Sequence, residues 1–292
     1  MKNTIRVLGF IAIIAVIGFT FGACVSTPFG EEINSVEGLK EYLESQPANS
    51  PDTPIKITLK IDASMLNGIA DTLRSTDKYV SLQLRGVSTI PDSAFRDCKS
   101  LIIMDFFRYD VSRIGNDAFR GCTNLTSLRR LYNLREFSHT AFDDCPSLIE
   151  IDAWRTTKPA LFSYQGVLCD TDDNDRRRLI FCPQGKTGAY TVPDDVESIA
   201  PYAFYGSKLT SITMNGGNME YLTIGDNAFT NCSNLTSVTI YGNVRFSDNA
   251  FEGNLLEVYN AGTIISVGRQ MAIIEFDGTF TREIGSNRWT KR

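Results

Sequence analysis

The chain has 292 residues, 42% of them hydrophobic and 22% charged, which is enough apolar material for a core and too little charge for a disordered chain. A net charge of −5 offers no cationic surface for a phosphate backbone, so nucleic acid is not expected as a partner. With one histidine, His139, imidazole catalysis and histidine-based metal centres have little to work with; no catalytic residue, metal or cofactor is expected.

Lys2 and Arg6 open the chain, and residues 7–21 form an apolar stretch too short for a comfortable membrane span but suited to a signal-peptide core. Gly22 and Ala23 end it before Cys24. This junction resembles the lipobox of bacterial lipoproteins, with Phe21 standing where Leu is usual. The resemblance implies a signal peptide over 1–23, an acylated Cys24 and a tether over 24–34, giving an exported protein anchored in the cell envelope, at the outer membrane or cell surface. The membrane is then one partner, since each acyl methylene contributes about 0.8 kcal/mol on burial.

Val36, Leu39, Tyr42 and Leu43 come next at helical spacing, with Ser35 as N-cap. Residues 47–54 read as a loop and 55–61 alternate as a strand. Met65, Ile69 and Leu73 mark a second helix, and Tyr79, Leu82 and Leu84 a second strand. Residues 35–78 therefore form a small αβαβ cap over the open end of the core beyond them.

From residue 79 onward the chain repeats itself. One unit is an apolar residue, three variable residues, Ala-Phe, two more, often Cys, and then Leu. It runs Ile90, Ala94, Phe95, Cys98, Leu101, and again Ile114, Ala118, Phe119, Cys122, Leu125. Phe137, Ala141, Phe142, Cys145 and Leu148 repeat it, as do Ile224, Ala228, Phe229, Cys232 and Leu235. Phe204 and Phe251 mark two further copies, and the six phenylalanines step by 24, 23, 62, 25 and 22 residues. Each unit ends in a strand such as Leu235, Val238, Ile240, whose last two apolar residues share one face. A unit this small buries that face only by stacking in parallel on its neighbours. The fold class is thus an α/β repeat: a strand-rich solenoid over 79–260, with Phe95, Phe119, Phe142, Phe204, Phe229 and Phe251 lining its interior.

The Ala-Phe-x-x-Cys units resemble the BspA-like leucine-rich repeats of bacterial surface proteins. Residues 35–43, 46–49 and 54–57 are similar to the start of treponemal lipoproteins that carry such repeats. The resemblance covers nearly all of the chain after the leader. It implies adhesion, with host matrix proteins or other bacteria as partners; the expected function is a non-enzymatic adhesin that binds these or glycan.

The 62-residue step holds an insertion at about 160–190, with hairpin strands over 162–168 and 178–183 around a polar turn at 170–177. Residues 261–292 read as a C-terminal β cap, with a hairpin joining 278–282 to 288–291. A monomer is expected.

Four cysteines, Cys98, Cys122, Cys145 and Cys232, share one repeat position and read as small buried residues stacked along the spine. Cys169 and Cys182, across the inserted hairpin, are the candidate disulfide pair in an exported chain. Asp170, Asp172 and Asn174 fit the first ligand positions of a calcium loop, but Asp175 stands where Gly is required and Phe181 where Glu belongs. A solvated turn balanced by Arg176, Arg177 and Arg178 is the simpler reading. Ser138, His139 and Asp143 lie in a repeat turn without a nucleophile elbow. The outward strand face is the candidate binding surface. It carries Phe107, Trp154 and Tyr241 at one repeat position, Arg85 and Asn215 at the same position of other units, and Arg129 beside them. The alternatives are a periplasmic scaffold without external ligand and a carboxylate-based hydrolase.

Overall fold

The structure is a computed structural model describing residues 29–107, 110–154, 161–171, 174, 176–215, 222–241, 243–247 and 250, with the backbone of five short strands beyond 257. The leader, Cys24 and Phe251 lie outside the described residues. Among those described, no helix is long and apolar enough to cross a membrane.

The chain enters through β1 (Glu31–Ile33), α1 (Val36–Ser45), β2 (Ile55–Lys60), a 3-10 turn (Ala63–Met65), α2 (Leu66–Ser75) and β3 (Val80–Arg85). Ser35 caps α1 by accepting a bond from Gly38 N at 3.1 Å. Leu39 and Leu43 of α1, and Leu66, Ile69, Ala70 and Leu73 of α2, are buried in the same apolar cluster as Phe95. The cap is thus continuous with the repeat interior. It begins earlier than expected: Glu31, Glu32 and Ile33 pair in parallel with Ile57, Thr58 and Leu59. The tether over 24–34 is corrected accordingly, because burying Ile33 turns its last residues into an edge strand.

Three coils come after the cap. Their long front strands are β5 (Leu101–Phe106), β7 (Ser127–Leu131) and β9 (Glu150–Ala153), and their short back strands β4 (Thr89–Ile90), β6 (Arg113–Ile114) and β8 (Glu136–Phe137). The front strands extend β3 in a parallel sheet, and the back strands form a second parallel sheet of three. The Ala-Phe pairs fill the space between. Phe95, Phe119 and Phe142 stack with ring centroids 5.4 Å apart at each step, nearly parallel. The coils are also laced by backbone: Phe95 N donates to Ala118 O at 2.7 Å, and Phe119 N to Ala141 O at 2.8 Å. The turns of the coils use a left-handed backbone. The residue two after each Phe is Asp97, Gly121, Asp144, Gly206 or Asn231, all at positive φ, which Gly, Asn and Asp tolerate best.

The insertion is built differently from the sequence expectation. Residues 162–168 are a hairpin in themselves: β10 (Leu161–Tyr164) and β11 (Val167–Thr171) join through Gln165 and Gly166, at φ 49° and 78°. A third strand, β12 (Arg177–Phe181), pairs antiparallel with β11. The unit does not hang off the solenoid but passes through it. Leu168 and Phe181 belong to the first apolar cluster, while Val167, Cys169 and Leu179 belong to a second. A register shift at Leu168/Cys169 sets Phe181 and Leu179, two residues apart on one strand, to opposite sides. β11 and β12 thus form a septum between two half-cores.

Beyond the septum the coils resume with β13 (Thr187–Thr191), β14 (Val196–Ile199), β15 (Lys208–Asn215), β16 (Leu222–Ile224), β17 (Ser237–Tyr241) and β18 (Asn243–Phe246). The front sheet is β13–β15–β17, and the back wall is β12–β14–β16–β18. The first aromatic run ends at Phe142–Phe181, at 5.6 Å, and a second runs through Tyr190–Phe204 and Phe204–Phe229, at 5.8 and 4.8 Å. Strands β19 (Val258–Asn260) and β20 (Thr263–Ile265) pair with each other; β21 (Ala272–Glu275) and β22 (Gly278–Thr281) lie antiparallel on β18 and β17, and β23 (Thr290–Lys291) pairs with β22. The two walls end on antiparallel strands that cover their last parallel edges.

Candidate binding surface

The outward side chains of the first front sheet form a polar row. Glu32, Thr58, Gln83, Asp105 and Arg129 are successive register partners across β1, β2, β3, β5 and β7. Much of the row is committed to internal contacts. Arg85 lies over the Phe107 ring, its guanidinium carbon 4.1 Å from the centroid, and donates to Gln83 Oε1 at 3.1 and 3.2 Å. It also reaches Glu32 at 3.5 Å. Arg129 Nε donates to Ser127 Oγ at 3.2 Å. Its neighbour Arg130, which the sequence reading passed over, donates to Asp105 at 2.5 Å, and Asp105 is 5% exposed. This ion pair comes from a one-residue bulge: Leu128 pairs with Ile151 but Leu131 with Ala153. The Arg130 backbone sits at φ 64° and its N donates to Asp152 at 3.2 Å.

The aromatic members of the candidate set separate. Phe107 is half-buried under Arg85. Trp154 is 62% exposed and closes the first front sheet through an isolated bridge to Phe162. Tyr241 is 50% exposed but belongs to the second front sheet, where it is the register partner of Asn215. Asn215 in turn donates to Asp194 at 2.5 Å. Phe107 and Trp154 follow β5 and β9 of the first front sheet and Tyr241 ends β17 of the second, so the septum parts the three aromatics into two groups. Two further exposed apolar residues, Ile149 before β9 and Tyr164 at the end of β10, carry no sequence signal. The front wall is carried across the break by Gly185, whose N donates to Leu148 O at 2.7 Å. A Cβ on Gly185 would meet that oxygen at 2.6 Å, so glycine is required there.

The remaining candidates have structural places. Cys122, Cys145 and Cys232 donate Sγ–H to the carbonyls of Phe95, Phe119 and Phe204 in the preceding coil, at 3.0, 3.1 and 2.9 Å. A thiol is small enough for the spine and still satisfies a buried acceptor. Cys98 makes the longer version, 3.6 Å to Ala70 O in α2. Burial pushes the thiols of Cys98, Cys145 and Cys169 up to about 12. The candidate pair Cys169 and Cys182 is corrected: both are free and buried, and the strand register sets Cys169 opposite Leu179. Cys182 instead occupies the phenylalanine position of its coil, its N donating to Ala203 O at 2.6 Å.

Asp170 is held by Arg178 through two bonds of 3.1 and 2.7 Å, while Asp172, Asp173 and Asp175 lie outside the described residues. Among the described residues no group of three His, Cys, Asp or Glu side chains converges as a metal site. Ser138 caps a 3-10 turn (His139–Phe142) and donates to Asn116 Oδ1 at 2.7 Å, whereas His139 stacks on Tyr202 at 5.9 Å. Burial raises the Asp143 carboxyl above its ordinary range, with Arg120 opposing.

No curated protein sequence matches the chain. Among solved structures it is similar to a leucine-rich cell surface protein from Faecalibacterium prausnitzii, at 17% identity and TM-score 0.39, over 80% of this chain and 71% of that one. It is similar to the leucine-rich repeat protein of T. pallidum, at 21% identity and TM-score 0.34, over 64% of this chain and 69% of that one. The pneumococcal vaccine antigen PcpA is matched at 19% identity and TM-score 0.40, over 73% of this chain and 56% of that one. The sequence model of the BspA type leucine-rich repeat region matches six copies, over 74–164 and 181–271, and skips 165–180, where β11 and the start of β12 form the septum. The chain belongs to the BspA-type leucine-rich-repeat family.

Proposed function

We propose that this is a non-enzymatic lipoprotein of the bacterial cell envelope that binds protein or glycan ligands, as an adhesin does, through its front strand face. The observation that carries the reading is the exposure of Trp154 and Tyr241, at 62% and 50%, where Arg85, Gln83, Asp105, Arg130 and Asn215 are committed to internal contacts. Large aromatics leave water at low entropic cost and dominate binding surfaces, whereas a rim of satisfied ion pairs supplies shape and register. Ile149 and Tyr164 are further exposed apolar residues of this region, at the strands either side of the break. The lipid anchor at Cys24 would hold the body at the membrane, and surface display of family members supports an outward orientation.

The test uses the exposed pair separately, because the two lie in different sheets. Trp154→Ser and Tyr241→Ser are each expected to weaken adhesion to arrayed host matrix proteins, bacterial cells or glycans, by about 2 kcal/mol at a hot spot. Thermal stability should be little changed. Phe107→Ser is a poorer probe, since it also releases Arg85 from its ring contact. Protease shaving of intact cells addresses location: loss of the protein supports surface display, and protection supports the periplasmic scaffold.

A further inference from the structure

The septum leaves a break in the back wall. β8 ends the first back sheet and β12 lies in the next, and no ladder joins them among the described residues. In the break lies an open cavity of about 550 Å3, within the ~300–1,000 Å3 span of ligand sites. Its floor is apolar, formed by Phe137, Leu161 and Ile180. Its rim is charged and aromatic.

Two of the rim carboxylates are already neutralised. Arg178 clasps Asp170, and Arg113 Nε lies 3.2 Å from Glu136. The Arg135 guanidinium, by contrast, has no side-chain partner among the described residues, while its backbone N is fixed to Ser112 O at 2.8 Å. Across the break His139 and Tyr202 stack at 5.9 Å with their planes 16° apart. Tyr202 is 43% exposed, although its backbone is at φ 60°, a conformation in which a tyrosine is strained. Its hydroxyl accepts a bond from Asn227 Nδ2 at 3.1 Å. The same turn position is left-handed in other coils, at Ser93, Asp117 and Asn227, so the backbone belongs to the repeat and what is particular here is the aromatic side chain it carries beside the cavity.

We propose that this cavity binds a carboxylate-bearing sugar of mono- to disaccharide size. The His139–Tyr202 pair offers a flat π surface for the apolar face of a sugar ring. Arg135 offers an open guanidinium fork for the sugar carboxylate. Asp170 and Glu136, with their charges met, keep lone pairs for hydroxyl donors. A neutral sugar leaves Arg135 unmet, whereas the planar carboxylate of an acid sugar matches its guanidinium fork. The site lies on the back wall and does not depend on the front-face reading.

The test titrates the full-length protein in detergent micelles with glucuronate, N-acetylneuraminate and glucose, followed by calorimetry and saturation-transfer NMR. At least one acid sugar binds, and glucose binds about tenfold more weakly or worse. Arg135→Gln removes the preference for the acid without shifting the melting temperature, since the side chain holds nothing in place. Tyr202→Asn keeps the left-handed backbone, removes the ring and weakens the acid sugar about fivefold or more. Trp154→Ser, on the front face, leaves this binding unchanged. The proposal is overturned if neither acid binds at millimolar concentration, if glucose binds as well as the acids, or if Arg135→Gln binds the acid like the unmodified protein.

Discussion

Gly121 shows what a single turn position demands. It sits two residues after Phe119 at φ 74°, and an added Cβ would meet Asp97 Oδ1 at 2.2 Å. Gly121→Ala should therefore cost about 1–2 kcal/mol in urea unfolding. Asp144→Gly, at the same position of the next coil and at φ 57°, should cost little or stabilise the protein. Equal destabilisation by the two changes would contradict this account of the turn. The thiols make a second residue-scale argument. Cys98, Cys145 and Cys169 are raised from 9.0 to about 12, so the folded chain holds these protons more tightly than the unfolded chain. The resulting stability is complete below about pH 9 and is lost as pH rises towards 12. The urea midpoint should accordingly fall between about pH 8.5 and pH 11. Replacing the three cysteines by Ala should flatten that fall; an unchanged pH profile would refute the assignment to these thiols.

At the scale of elements, the septum governs how the two half-cores depend on each other. Leu168 faces the first core and Leu179 the second, both essentially unexposed. Each change to Ala should cost about 2–5 kcal/mol. Their footprints should differ: in hydrogen exchange, Leu168→Ala loosens the coils of Phe119 and Phe142 first, and Leu179→Ala those of Phe204 and Phe229. Identical footprints would mean that β11 and β12 do not divide the interior. The septum was the least legible element in the sequence. Apolar alternation marked residues 162–168 as strand, but a strand buried on both faces and a hairpin turn at Gln165-Gly166 leave the same local pattern. Only the bulge that sends Leu179 and Phe181 to opposite sides makes the partition, and no spacing rule encodes it. The Ala-Phe turns and the α1 cap were legible because each is a local pattern repeated or closed within a few residues. Front-face register was legible within each sheet for the same reason. The pairing of Arg130 with Asp105 was not, because it depends on a bulge inside the strand that starts at Ser127.

For the whole molecule, the fold supplies two walls around two stacked aromatic runs parted by the septum, and the walls differ in what they expose. The front wall presents Trp154 and Tyr241 among neutralised charges, and the back wall presents a cavity with an open guanidinium at Arg135. The interior packing lies behind both walls, so surface substitutions on either wall should change binding without changing the fold. The central claim is that the exposed aromatics of the front wall are the ligand contacts. The most direct measurement is adhesion of beads carrying the full-length protein to arrayed host matrix proteins, bacterial cells and glycans, compared with the Trp154→Ser/Tyr241→Ser double variant at equal loading and equal melting temperature. The account predicts that the unmodified protein holds at least one arrayed ligand and that the double variant loses about tenfold or more of that affinity. Undiminished adhesion by the double variant would contradict it.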